Sequence, residues 1–144
     1  MPPKMGMDPI MTRGALAAMV GEAARAHPQE ACGLLLGERG ADGQERITAI
    51  RPATNVAPDP RRHFEIDPAV LIAALRAERE GMGDLALLGY YHSHPTGAAV
   101  PSATDSANAG RDGRLWAIIA AGQVRLWRDG AGGFEMLPTC LAQG

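Results

Sequence analysis

The chain has 144 residues, a usual size for a single domain, and a chain this long needs neither a disulfide nor a structural metal to fold. Hydrophobic residues make up 46% but aromatics only 4%, so Ala, Leu, Ile and Val must build most of the core. The net charge of −2 comes from interspersed acids and bases, which argues against nucleic acid as a partner and against an acidic tail.

The start, MPPKMGMDPIMTRG, lacks the apolar stretch of a signal peptide. No window holds the roughly 20 apolar residues of a membrane span. A cytoplasmic location and no membrane partner are expected. The two cysteines, Cys32 and Cys140, belong to no C-x-x-C pair and read as reduced thiols.

Residues 1–10 carry prolines and a glycine and read as a flexible N-terminal segment, with a single domain over 11–144. From Met11, the residues Leu16, Met19, Val20, Ala23 and His27 recur at helical spacing, giving a first helix that ends near Pro28. His27 closes it, where a cation suits the helix dipole. Ala31 to Glu38 reads as a short buried strand, and Arg46 to Ala53 as a second. A polar, proline-bearing loop follows. Asp67 and Pro68 suit an N-cap and first helical position, and the second helix runs to about Glu80. Leu85 to Ser93 is apolar enough for a central strand. Ser102 opens a short third helix towards Gly110. LWAIIA, QVRLWR and GFEML are three further strands joined by Gly-containing turns, with Trp116, Trp127 and Phe134 read as core residues. The order suggests one α/β domain with a single mixed, largely antiparallel sheet flanked by helices.

The stretch GYYHSHPTGAAVPSATD, Gly89 to Asp105, carries the chemistry. Side chains two apart on a strand share a face, so His92 and His94 sit about 6.6 Å apart at the backbone and can converge on one ion. Ser93 points the other way. Ser102-x-x-Asp105 resembles a helix-opening capping box, and capping and ligation can hold together. Two histidines and one carboxylate leave an open position for water, as a catalytic zinc requires. Glu30, just before the first apolar strand, is the best candidate for a general base.

Taken together, Glu30, the run His92-Ser93-His94-Pro95, seven residues after His94, and then Ser102-x-x-Asp105 resemble the JAMM (MPN-plus) zinc metallopeptidase signature. EACGLLLG after the glutamate, Asn55, and HFEIDP (His63 to Pro68) look similar as well. The resemblance covers Met11 to Glu135 and implies a cytidine-deaminase-like JAMM fold of the compact prokaryotic type. It implies Zn²⁺ held by His92, His94 and Asp105, Glu30 as proton carrier, Ser102 as hydrogen-bond donor to the oxyanion, and Ser93 supporting the ligands from behind. It further implies hydrolysis of an amide bond after the C-terminal Gly-Gly of a ubiquitin-like or sulfur-carrier protein. Residues Ala53 to Phe64 would form a flap over that tail. Homodimerisation is left open.

Three rivals are weighed against this. Many relatives of that family lose the metal ligands and act as non-catalytic binding scaffolds, whereas here every ligand type is present. A zinc deaminase would use His63-Phe64-Glu65 but needs a C-x-x-C that the chain lacks. A non-haem iron site would accept the same two histidines and carboxylate. Cys32 reads as a small buried residue, with metal contact the lesser option.

Overall fold

The computed structural model describes residues 8–142. Of the flexible segment expected over 1–10, residues 1–7 lie outside the described residues, and Ile10 opens a strand. The elements run β1 (Ile10–Thr12), α1 (Arg13–Ala26), β2 (Cys32–Arg39), β3 (Glu45–Ala53), α2 (Pro68–Arg79), β4 (Ala86–Ser93), α3 (Ala103–Asn108), β5 (Leu115–Ala120), β6 (Gln123–Gly130), β7 (Gly133–Leu137) and β8 (Cys140–Ala142).

All eight strands join one sheet in the order β7-β6-β5-β4-β2-β3-β1-β8. Pairs β2–β3, β2–β4, β5–β6 and β6–β7 are antiparallel; β1–β3, β1–β8 and β4–β5 are parallel. The sheet is therefore mixed and largely antiparallel, as the pattern predicts. Strands β2, β4 and β5 are central and covered on both faces, which is why they read as near-continuous apolar runs.

Helix α1 starts two residues later than its periodicity suggests. Met11 lies in β1, and the Thr12 hydroxyl accepts from the Ala15 N–H at 3.1 Å and caps the helix. Helix α2 opens as expected, with the Asp67 carboxylate accepting from the Ala69 N–H and Pro68 at its first position.

On one face of the sheet, Met19 and Ala15 of α1 pack with Leu35, Ile47, Leu88, Tyr91 and Ile119. On the other, Ala74 of α2 packs with Leu34, Leu36 and Leu87, joined by Ile66, Leu71 and Tyr90. Close strand approach at the centre depends on Gly89: a Cβ there would overlap the Leu115 carbonyl oxygen. Trp116 is buried, while Trp127 and Phe134 are half-buried. Among the described residues, no helix is long and apolar enough to cross a membrane.

Candidate metal centre

Strand β4 delivers the two histidines. Its register places His92 beside Cys32 of β2 and Ile118 of β5, at the end of the three central strands. Ser93 faces the α1 side, where its hydroxyl accepts from the Ala31 N–H at 2.8 Å and ties the end of β4 to the start of β2. His94 follows the strand, with its N–H bonded to the Ile119 carbonyl at 2.8 Å.

Helix α3 delivers the carboxylate. Ser102 and Asp105 form a full capping box: the Ser102 hydroxyl accepts from the Asp105 N–H at 3.0 Å, and Asp105 Oδ2 accepts from the Ser102 N–H at 2.9 Å. The same Oδ2 lies 3.1 Å from His92 Nε2 and 3.2 Å from His94 Nε2, and the two Nε2 atoms are 3.1 Å apart. Cap and convergence coexist, as the sequence allows.

This triangle suits a metal ion better than it suits protein hydrogen bonds. His94 Nδ1 is 2.8 Å from the Ala98 carbonyl, which can only accept, so Nδ1 carries a proton. When neutral, the ring therefore turns an Nε2 lone pair towards Asp105 Oδ2 and His92 Nε2, and only its protonated form can donate to Asp105. A tetrahedral ion about 2.0–2.1 Å from each donor holds its donors roughly 3.3 Å apart, close to the spacing seen. Phe64 stacks on the His92 ring at 4.2 Å and Trp116 meets it edge-on at 5.6 Å, so His92 is wholly buried. Its Nδ1 has no partner among the described residues.

Glu30 stands beside this group. Its carboxylate and the His92 and His94 ring nitrogens lie within 4.8 Å of one another, a set that could itself hold a metal ion. Burial pushes its carboxyl up to about 7, with His94 opposing and Asp105 adding to the rise. Burial holds the His92 imidazole below its ordinary value. Burial also acts to lower His94, but the bonds to Asp105 and the Ala98 carbonyl outweigh it and raise the ring. Asp105 is buried, which alone would raise it; the two imidazoles and the Ser102 N–H instead hold it well below the carboxylate range.

Asn55 organises the surroundings, and the sequence marks it only through family likeness. Its Nδ2 donates to the carbonyls of Glu30 at 3.0 Å and His63 at 2.9 Å, and its Oδ1 accepts from the N–H groups of Ala57 at 3.0 Å and Glu65 at 3.1 Å. The Glu30 N–H bonds the Pro60 carbonyl at 2.7 Å, and Asp67 N–H the Thr54 carbonyl at 3.1 Å. The segment expected as a flap, Ala53 to Phe64, is thus a pinned loop whose Phe64 forms a wall against His92.

His63 and Glu65 are exposed on that loop. Cys32 is buried, its thiol pushed up to about 12 by burial and by Glu30, and its Sγ is 3.7 Å from the Ala53 carbonyl. Both Cys32 and Cys140 are free thiols.

Fold and site together define a mixed α/β domain that carries a candidate metal centre at the end of its central strands. Residues 12–130 match the family described as prokaryotic homologs of the JAB domain, and the chain belongs to that family. It is 43% identical to a desampylase of Haloferax volcanii over 65% of this chain and 63% of that protein. It is 38% identical to a probable TtuB-protein conjugate cleaving protease of Thermus thermophilus, over 72% and 65% of the two chains. A CysO-cysteine peptidase of Mycobacterium tuberculosis is 39% identical over 61% and 56%. In each case the match spans less than two thirds of the relative's length. A solved structure from Desulfitobacterium hafniense superposes with a TM-score of 0.80 at 28% identity, covering 94% of each chain. A JAB1/MPN domain protein from Archaeoglobus fulgidus shares the fold, with a TM-score of 0.59 at 17% identity over 92% of this chain and 94% of that one.

Proposed function

We propose that this chain is a cytoplasmic zinc metallopeptidase that hydrolyses the amide bond after the C-terminal Gly-Gly of a ubiquitin-like or sulfur-carrier protein. The observation that carries this reading is the triangle of His92 Nε2, His94 Nε2 and Asp105 Oδ2, with the Glu30 carboxylate beside the two imidazoles. The names of the relatives support the substrate class: a desampylase, a conjugate-cleaving protease and a CysO-cysteine peptidase.

His92, His94 and Asp105 would hold the ion. Bound there, zinc supplies Lewis-acid chemistry, polarising the scissile carbonyl and making a water molecule acidic near neutral pH. Glu30, with its carboxyl near 7, is poised to take a proton from that water and give it to the leaving amine. Ser102 is exposed, and its oxygen already accepts from the Asp105 N–H, so its own O–H is free to donate to the developing oxyanion. The pinned Asn55 loop keeps Glu30 in place. A Gly-Gly tail suits the site because only glycine lets the backbone approach this closely.

The test presents the purified chain with ubiquitin-like carriers extended beyond Gly-Gly, with and without a chelator. Cleavage is expected only with zinc. Glu30→Gln is expected to lose about 10²–10⁴-fold in kcat, the usual worth of a general base, while retaining about one zinc per chain. Turnover near wild-type in that variant would remove Glu30 from the chemistry. Absence of zinc from the reconstituted wild-type would overturn the metallopeptidase reading.

A further inference from the structure

Beside the metal donors, on the His92 face of the sheet, lies a cavity of about 440 Å³. Phe64, Tyr90 and Trp116 give it aromatic walls, and the acidic residues Glu65 and Asp112 also line it. A single layer of rings separates it from the metal donors, since Phe64 and Trp116 both rest against His92. Tyr90 and Trp116 meet edge-on at 6.3 Å, so the walls are not parallel plates but an angled recess.

The charge around the recess is negative. Glu65 and Asp112 are exposed. The charged groups that act on the Tyr90 hydroxyl are three carboxylates, those of Asp112, Asp129 and Glu78, against one guanidinium, that of Arg114. Arg114 Nε lies 3.6 Å from Asp112 Oδ2 and 3.8 Å separates its Nη2 from Glu78 Oε1, loose contacts that leave the acids in excess. Aromatic faces attract a cation, and a Lys or Arg side chain combines an apolar stem with a charged head. Aromatic walls with acids at the lining match that combination.

An extended tail advances about 3.3 Å per residue. For a tail that runs from the donors past Phe64, a recess one ring away is reached roughly two to four residues before the scissile bond, just ahead of the Gly-Gly. We propose that the recess walled by Phe64, Tyr90 and Trp116 is a specificity subsite for an Arg or Lys side chain immediately preceding the Gly-Gly of the substrate tail. This rests on the hydrolase reading above and adds to it the sequence that the enzyme selects.

The experiment uses zinc-loaded full chain and three fluorogenic amides ending in Arg-Gly-Gly, Ala-Gly-Gly and Glu-Gly-Gly. The Arg substrate is expected to exceed the Ala substrate about tenfold in kcat/KM, and the Glu substrate to be poorest. Glu65→Gln combined with Asp112→Asn should bring Arg and Ala within about twofold of each other in kcat/KM. Glu65→Arg, a single change at an exposed position, should favour the Glu substrate. In parallel, calorimetry of the corresponding uncleaved tail peptides on zinc-loaded Glu30→Gln should give the same order of affinity. Equal turnover and equal binding of all three peptides would overturn the subsite and leave the hydrolase reading standing. No turnover of any amide, with Arg-selective binding retained, would support the subsite and overturn the hydrolase reading. Neither turnover nor selective binding would overturn both.

Discussion

Glu30 shows how one buried carboxyl couples stability to pH. Its carboxyl titrates near 7 in the folded chain against 4.5 as the ordinary value. Between those values the folded state keeps a proton that the unfolded state has released. Stability is therefore lost as pH rises through this window, and above it the ionised carboxylate costs on the order of 3 kcal/mol. Glutamine cannot ionise. Metal-free Glu30→Gln should match the wild-type near pH 4.5 and exceed it by a few kcal/mol at pH 8, measured by urea unfolding in chelator. An equal gap at both pH values would refute this account. Asn55 makes a second case. Removing its amide would strand the Glu30 and His63 carbonyls and the Ala57 and Glu65 N–H groups. Asn55→Ala is expected to cost about 1–3 kcal/mol and to lower kcat with zinc content unchanged. Unaltered kcat would show that Glu30 holds its place without the loop.

At the scale of elements, α3 has two duties in one short turn. Its first residues cap the helix and also set Asp105 Oδ2 beside two imidazoles. Ser102→Ala should cost about 1 kcal/mol of stability through the lost cap. If Ser102 also donates to the oxyanion, kcat should fall about 10²-fold or more, well beyond the cap effect. A loss below tenfold in steady-state kinetics would reduce Ser102 to a helix cap. The shared face of His92 and His94 and the Ser102–Asp105 cap were legible beforehand because they rest on local rules: a strand repeats every two residues, and a cap sits three residues before its partner; that the two meet is expected only from the family resemblance. Helix α2 was legible for the same reason, through Asp67 and Pro68. The recess was not. Tyr90 and Trp116 become neighbours only through the parallel register of β4 and β5, and Phe64 reaches His92 only because Asn55 folds its loop. Strands β1 and β8 escaped as well, since three residues carry too little pattern and their pairing is set by distant partners.

For the whole molecule, the apolar clusters on the two sheet faces imply that folding does not depend on the proposed ion. Chelation should abolish cleavage while circular dichroism and a cooperative thermal transition persist. The transition should move down by the linkage that any ligand of the folded state supplies. Zinc added back should restore both activity and melting temperature. Loss of the circular dichroism signal on chelation would instead make the metal a structural one.

The sheet closes on one side by laying Ile10–Thr12 along Cys140–Ala142. Residues 45–53 of β3 are made long before residues 140–142 of β8, so β1 can pair with β3 before it pairs with β8. Two residue pairs hold β1 to β3 and three hold it to β8, and the β1–β8 contact closes a loop over residues 13–139, which is costly in entropy. The β1–β8 ladder should be the first to exchange its amide hydrogens in the finished molecule, while the amides of the central strands β2, β4 and β5 stay protected.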